Sequence, residues 1–528
     1  MGAKDSVAFS RLAEGGGMSS SDGRLGTLQF DVNDALEHIG MGWFQYRVAL
    51  IIGIFIAADA MEMMLLSYVG PCAKCEFGLT SFQESMLTTV VFVGSLLGSA
   101  FWGASADRIG RYRTLMVIGT TTFIFGMASA TSKSYGALLL FRGSLGLCLG
   151  GFAVAFSYFL ELLPTSARGK WGVLMEFWWT VGSLFEAGVA WIVFSSGGSW
   201  RWLIGVSTIP LLFVIVSFRI LPRSPRYLLI SGKRDAAEST LQRAAALNGK
   251  STAFSLRSIS SASPSTSEKR LPLRESVSVL FSDTFKKATV FLWVMWFSVA
   301  ISYYGIVLMT TTLIATFDEE EGTNQTTHCE LGGHNVPFVD EDYTDVFVAT
   351  ASELPGLLFA MFTVDKMGRR KSQAVSFALC AIFLFLMILL PKKRGVVTTL
   401  LFFARAFINS AFLIIYLWTP EIYPTYIRNF GFGSAFAFAR LGGMLSPFVG
   451  QNLTEAGKAG LAQFIMCACC TLSATLSMAL DLETAGVALK DTAQEVEMPK
   501  IIMAREDTDE DDDTTLAHHH AVGDMTVI

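Results

Sequence analysis

Apolar runs long enough to cross a bilayer recur along this chain, with short polar or charged breaks between them. They begin near Gln45, Gln83, Tyr112, Tyr135, Trp171 and Arg201. After an interruption they resume near Ala288, Asp345, Ser372, Val396, Asn429 and Ala459. A hydrocarbon core needs about 20 apolar residues per helix, so the pattern predicts twelve transmembrane helices, six and six. The interruption, residues 223–287, reads as a central loop, with a helix expected between Asp235 and Leu247 and a Ser-rich linker, open to phosphorylation, over Ser251–Ser267.

The two sixes repeat each other. Glu161 to Arg168 and Glu421 to Arg428 both read Glu-x-x-Pro-Thr-x-x-Arg; Asp107-Arg-Ile-Gly-Arg answers to Asp365-Lys-Met-Gly-Arg; Arg142, inside one apolar run, answers to Arg405 inside another. Three features in one order at nearly one offset indicate a duplicated unit. The expected fold is an all-α membrane protein of two pseudo-symmetric six-helix bundles, residues 42–222 and 288–482. Disordered tails are expected at 1–41 and, strongly acidic, at 483–528.

Composition agrees. Of 528 residues 52% are hydrophobic and 16% charged, against roughly 25% charged in soluble chains, and mean hydropathy is +0.47. The distribution of charge sets an orientation. Residues 222–287 hold 12 Lys/Arg against 5 Asp/Glu, whereas 316–345 hold nine acids and no Lys or Arg. Basic loops stay cytoplasmic, so both termini are expected there. The sequon at Asn324 then falls on the opposite side as a glycosylation site, a role expected less of the one at Asn452. Cys72, Cys75 and Cys329 share that oxidising side, their pairing open and a zinc site unsupported by further ligands. No metal or cofactor is expected. No Gly-x-x-x-x-Gly-Lys-Ser/Thr loop or Ser/His/Asp constellation stands out, so an ATP-driven pump or an enzyme is not expected, nor is nucleic acid as a partner. His518–His520 read as neutral tail, and Thr526-Val-Ile resembles a PDZ-domain ligand.

The motifs carry a resemblance. Gly103-Ala-Ser-Ala-Asp-Arg-Ile-Gly-Arg and Asp365-Lys-Met-Gly-Arg-Arg resemble the paired loop motif of the major facilitator superfamily, and Glu161…Arg168 and Glu421…Arg428 the paired motifs of its sugar-porter and organic-ion branches. Phe44-Gln-Tyr-Arg, Asp59-Ala-Met-Glu, Trp200-Arg-Trp-Leu, Ser302-Tyr-Tyr-Gly and Ser352-Glu-Leu-Pro-Gly are similar to the synaptic vesicle 2-related branch. There are departures: Tyr112 interrupts the first basic run, Met361 stands where Gly is usual, and Arg223 replaces the Glu of Pro-Glu-Ser-x-Arg. The resemblance implies an alternating-access transporter in a synaptic or secretory vesicle membrane, or alternatively the plasma membrane. Vesicle relatives that bind adenine nucleotides make such a nucleotide a further implied partner, with no residue to place it.

Alternating access needs reversible contacts at one end of the bundles. Asp107, Arg111, Glu161, Arg168, Asp365, Arg369, Glu421 and Arg428 are expected to form a cytoplasmic gate, with Gly110 and Gly368 turning the chain; anchoring of helix ends at headgroups is the plainer alternative. Charges inside apolar runs normally face a cavity or a partner. Asp59 and Glu62, three apart on one helix face, with Glu176, Glu186 and Glu353 against Arg142 and Arg405, are candidates for proton and substrate binding; structural acid–arginine pairing is the alternative, and Arg440 is the least certain member. Trp178, Trp179, Tyr303 and Tyr304 are candidate stacking surfaces for an organic cation, though aromatics also simply pack. The reading is secondary active transport of a small organic ion, proton-coupled and leaning cationic. Alternatives are a vesicle receptor that no longer transports and a facilitative uniporter for a neutral solute such as a sugar.

Overall fold

The computed structural model describes residues 28–256, 273–320 and 340–484. Strand β1 (Leu28–Phe30) and helix α1 (Val32–Ile39) precede α2 (Trp43–Phe77), α3 (Ser81–Ile109), α4 (Arg111–Ala130), α5 (Tyr135–Leu149), α6 (Phe152–Glu161), α7 (Arg168–Met175), α8 (Phe177–Ser195), α9 (Trp200–Ser207) and α10 (Ile209–Ser217). The connecting segment holds α11 (Pro225–Ile230), α12 (Arg234–Leu247), β2 (Phe254–Leu256) and α13 (Leu273–Leu280). The second half runs through α14 (Lys286–Glu320), α15 (Asp340–Ala351), α16 (Glu353–Leu389), α17 (Arg394–Ile422), α18 (Thr425–Pro447), the wide π turn Phe448–Asn452, α19 (Leu453–Glu455) and α20 (Ala459–Ala479).

Among the described residues nine helical spans are long and apolar enough to cross a membrane, the longest being Asp342–Leu389. Large apolar side chains such as Leu97, Ile192, Trp202, Val216 and Leu358 remain exposed on their outer faces, as a lipid-facing surface requires. Helix α2 has no such face over most of its length and sits in the core. The two halves pack alike. In the first, α2 lies on α8 and α3 on α5; in the second, α14 lies on α18 and α16 on α17. Contacts between halves run through α3 with α18 and α8 with α15.

Two glycines make the motif turns. Gly110 (φ 89°) separates α3 from α4, and Gly368 (φ 79°) bends α16 into two helices. Both lie in backbone space that glycine occupies without a Cβ penalty. After Gly368 the new helix is capped by Glu483, whose carboxylate accepts the backbone N–H of Arg369 (2.9 Å) and of Arg370 (3.2 Å). Replacing Glu483 by Ala is expected to cost about 1 kcal/mol as a lost helix cap, read as a lowered melting temperature of the purified protein; an unchanged melting curve would remove the capping role.

The expected tail over 1–41 is corrected where it is described. Residues 28–40 form β1 and α1, with β1 parallel to β2. Val32, Ala35, Leu36 and Ile39 bury one face of α1, and Glu37 accepts from Ser166 N and Oγ, both at 2.8 Å. The central segment is likewise built of short elements, and α12 occupies the stretch expected to be helical. Asn324, Cys329, residues 257–267 of the Ser-rich linker, His518–His520 and Thr526–Ile528 lie outside the described residues. Cys75 is disulfide-bonded, while Cys72, Cys148, Cys380, Cys467, Cys469 and Cys470 are thiols.

Candidate functional site: a charged centre between two clasped ends

Charged side chains gather at mid-helix, where a bare charge is costly. From α5, Arg142 reaches across to Glu62 on α2 (Nη1 to Oε2, 2.9 Å), both fully buried. The pair is under-satisfied: Glu62 Oε1 and Arg142 Nε and Nη2 make no hydrogen bond. In the second half the equivalent arginine, Arg405 on α17, grips Glu353 at the start of α16 through Nη2 (2.9 Å) and Nε (3.2 Å). The Tyr303 hydroxyl donates to the same carboxylate oxygen (2.8 Å) and accepts from the Trp179 indole N–H (2.9 Å). Asn409 holds the Glu353 backbone carbonyl (3.2 Å), and Arg405 Nη2 also approaches Met64 Sδ (3.4 Å). Trp179 and Met64 belong to the first half, so this network joins the two.

Three acids stand outside these pairs. Asp59 is 9% exposed, and the charges acting on it are Arg440, Glu62 and Glu176. Arg440 lies over the Phe436 ring (4.6 Å), and its field also reaches Tyr304. Tyr304 packs on Phe92 and Tyr303. Glu186, on α8, is wholly buried, and neither carboxylate oxygen has a hydrogen bond. The Ser207 hydroxyl faces it but donates to the Leu203 carbonyl (2.8 Å). Trp178 packs against Gly53.

At the end that carries the repeated motifs, each half closes a clasp of its own. Arg111 pairs with Glu161, which also accepts from Ser224 Oγ (2.7 Å). Arg369 forks onto Glu421 (3.0 Å to each oxygen), which also accepts from Thr484 Oγ1 (2.5 Å). Thr484 stands 260 residues after Ser224, so the duplication extends to the hydroxyl of each clasp. The remaining gate candidates are placed differently. Arg168 bonds the Leu160 carbonyl (3.2 Å) and Asn33 (3.3 Å), and burial, with Arg226 beside it, pushes its guanidinium below its ordinary pKa despite Glu37. Arg428 Nε donates to the Tyr423 carbonyl (3.2 Å). Asp107 is exposed; Asp365 is exposed and unpaired among the described residues.

At the opposite end the halves are tied together. Lys74, beyond Pro71 on α2, binds Glu84 (3.1 Å) and Glu455. Gln451 donates to Glu84, Ser85 donates to Asn452 (2.6 Å), and Thr89 donates to the Met444 carbonyl (3.1 Å). The π turn Phe448–Asn452 aims Gln451 and Asn452 at the first half; such turns often occur at functional places.

A charged centre between helix halves of repeated sequence is transporter architecture. Residues 37–325 and 339–495 match the family described as sugar (and other) transporter. The chain belongs to that family. It is a multi-pass membrane protein of the major facilitator superfamily. Synaptic vesicle 2-related protein of Xenopus laevis is 38% identical over 88% of this chain and 83% of its own. Organic cation/carnitine transporter 7 of Arabidopsis thaliana is 35% identical over 88% of this chain and 97% of its own. The fold resembles the partially occluded inward open conformation of the xylose transporter XylE from E. coli, with TM-score 0.65 and 16% identity over 85% of this chain and 100% of that one.

Within this transporter fold, several site residues escaped sequence reasoning. Lys74 and Glu84 sit near helix ends, where a charge looks like an ordinary flank. Gln451, Asn33 and Glu483 carry no local signal, since these partners lie 113 to 367 residues away.

Proposed function

We propose that this chain is a proton-coupled secondary transporter of a small organic cation. The observation that carries the reading is the acid excess at the centre. Arg142 and Arg405 each form an ion pair with one glutamate, Arg440 is the cation acting on Asp59, and Glu176 and Glu186 have no ion pair among the described residues. A cation, or protons, compensates that excess; an anion increases its own repulsion. Glu186 is a natural proton carrier, because a carboxylate buried without hydrogen bonds is costly until a proton neutralises it. Trp179, Tyr303 and Tyr304 add aromatic faces suited to an organic cation. The name of the Arabidopsis relative supports the same class.

The architecture behind this reading is twelve crossings in two six-helix bundles. Helices α4 and α18 cross as well as the nine apolar spans, and the long Asp342–Leu389 span is two crossings divided at Gly368. The bundles rock about the charged centre. Both termini are cytoplasmic, which puts the paired clasps on the cytoplasmic side and the Lys74 clasp on the lumenal side. The synaptic vesicle relatives support a vesicle membrane.

Uptake into proteoliposomes tests the substrate class, with labelled organic cations, anions and sugars, with and without an imposed pH gradient. Gradient-driven accumulation of a cation is expected. Accumulation of sugars alone, indifferent to the gradient, would replace the proposal with a facilitative sugar carrier.

A further inference from the structure

Where α12 docks beside the start of α2 and the end of α10, the protein forms an open cavity of about 390 Å³. One wall is α12, which contributes Ser239, Thr240 and Arg243. That wall is fixed: Asn248, just after α12, accepts from Phe44 N–H (3.0 Å) and donates to Gln45 Oε1 (2.8 Å). Arg47, Arg219 and Arg223 also line it, which makes four arginines in the lining. None of the four forms an ion pair or hydrogen bond among the described residues. Four like charges around one space repel each other, and guanidinium groups are matched in shape and charge to phosphate oxygens.

Arg223 makes this a property of the chain's own sequence. Its counterpart 260 residues on is Glu483, the carboxylate that caps Arg369 and Arg370. In the first half an arginine stands at that place and lines the cavity instead. The surroundings point to a lipid. Ile220 and Leu247 are exposed apolar groups in the lining, and Leu212, Phe213 and Val216 continue an exposed apolar surface along α10. A headgroup in the cavity therefore has a membrane-facing wall beside it for acyl chains. A single phosphodiester cannot engage four guanidinium groups well; a headgroup with several phosphates can.

We propose that this cavity binds the polyphosphorylated headgroup of an anionic membrane lipid of the phosphoinositide class, held by Arg47, Arg219, Arg223 and Arg243. Basic pockets at the ends of transmembrane helices are suited to such headgroups. The site is separate from the charged centre and stands whether or not the transported substrate is a cation.

The test is binding of short-chain phosphatidylinositol bisphosphate to the purified full-length protein, followed by native mass spectrometry, beside phosphatidylserine and soluble inositol trisphosphate. Wild type is expected to hold the bisphosphate lipid in preference to both. Arg219→Gln/Arg243→Gln is expected to weaken it at least tenfold. Arg223→Glu is expected to do the same while keeping the fold, since Glu483 shows that an acid is accommodated at the equivalent place. Arg274→Gln/Lys371→Gln, which removes two charges away from the cavity, is expected to leave binding unchanged. Equal binding by wild type and the cavity variants, an equal loss in the remote variant, or no binding by wild type would each overturn the proposal. Soluble inositol trisphosphate binding as tightly as the lipid would overturn the lipid assignment in favour of a soluble phosphate ligand.

Discussion

Replacing Arg405 by Met is expected to destabilise the protein by about 3–5 kcal/mol, because it strands the buried Glu353 carboxylate without its counter-charge. Tyr303 would remain as the donor to that carboxylate, and one neutral hydrogen bond does not replace a guanidinium fork. The companion substitution separates charge from packing. In Arg405→Met/Glu353→Leu no charge is left exposed to an apolar interior, and most of the lost stability should return. Thermal unfolding of the four proteins of this cycle, in one detergent, reads the coupling directly. A single variant that melts like wild type would mean that Glu353 finds another partner or a proton at no cost. The same variant should impair uptake, since Glu353 and Tyr303 link the second half to Trp179 of the first.

Replacing Lys74 by Met is expected to loosen the end opposite the motifs. Lys74 is 29% exposed, so its pairing is partly screened, but Glu84 is 1% exposed and needs a donor. Losing it should cost about 1–3 kcal/mol in the state seen here. Gln451 stays bonded to Glu84 and limits the loss. The state open at that end lacks the clasp in both proteins, so the conformational balance should move toward it by roughly tenfold for each 1.4 kcal/mol lost. Cys72, 1% exposed and two residues from Lys74, reports the change. Its labelling by a membrane-impermeant maleimide should accelerate in the variant. Labelling at the wild-type rate would show that the clasp does not hold that end shut.

The features legible in the sequence are those written twice. The repeated Asp-x-x-Gly-Arg and Glu-x-x-Pro-Thr-x-x-Arg motifs marked both motif-end clasps, and the apolar periodicity placed most helix starts within a few residues of where they lie. Arg142 and Arg405 stood out because a charge in an apolar run needs a partner. Which acid each takes was not legible. Asp59 and Glu62 share a helix face, which makes both candidates for proton and substrate binding, yet Glu62 is taken by Arg142 from another helix. Spacing along one helix defines a face and says nothing of the neighbour that meets it. The Lys74 clasp was hidden for the same reason, as Glu84 and Gln451 are 367 residues apart. Helix α1 is hidden differently: its buried stripe of Val32, Ala35, Leu36 and Ile39 is short and follows a long Gly/Ser-rich stretch whose composition masks it.

Glu186→Gln tests most directly whether the acids at the centre couple proton movement to transport, since Glu186 is the buried carboxylate without a hydrogen bond. Two assays are run on the same proteoliposomes: accumulation driven by an imposed pH gradient, and exchange of internal for labelled external substrate without a gradient. Glu186→Gln is expected to abolish gradient-driven accumulation and to retain exchange. Gradient-driven accumulation at the wild-type level in the variant would contradict it.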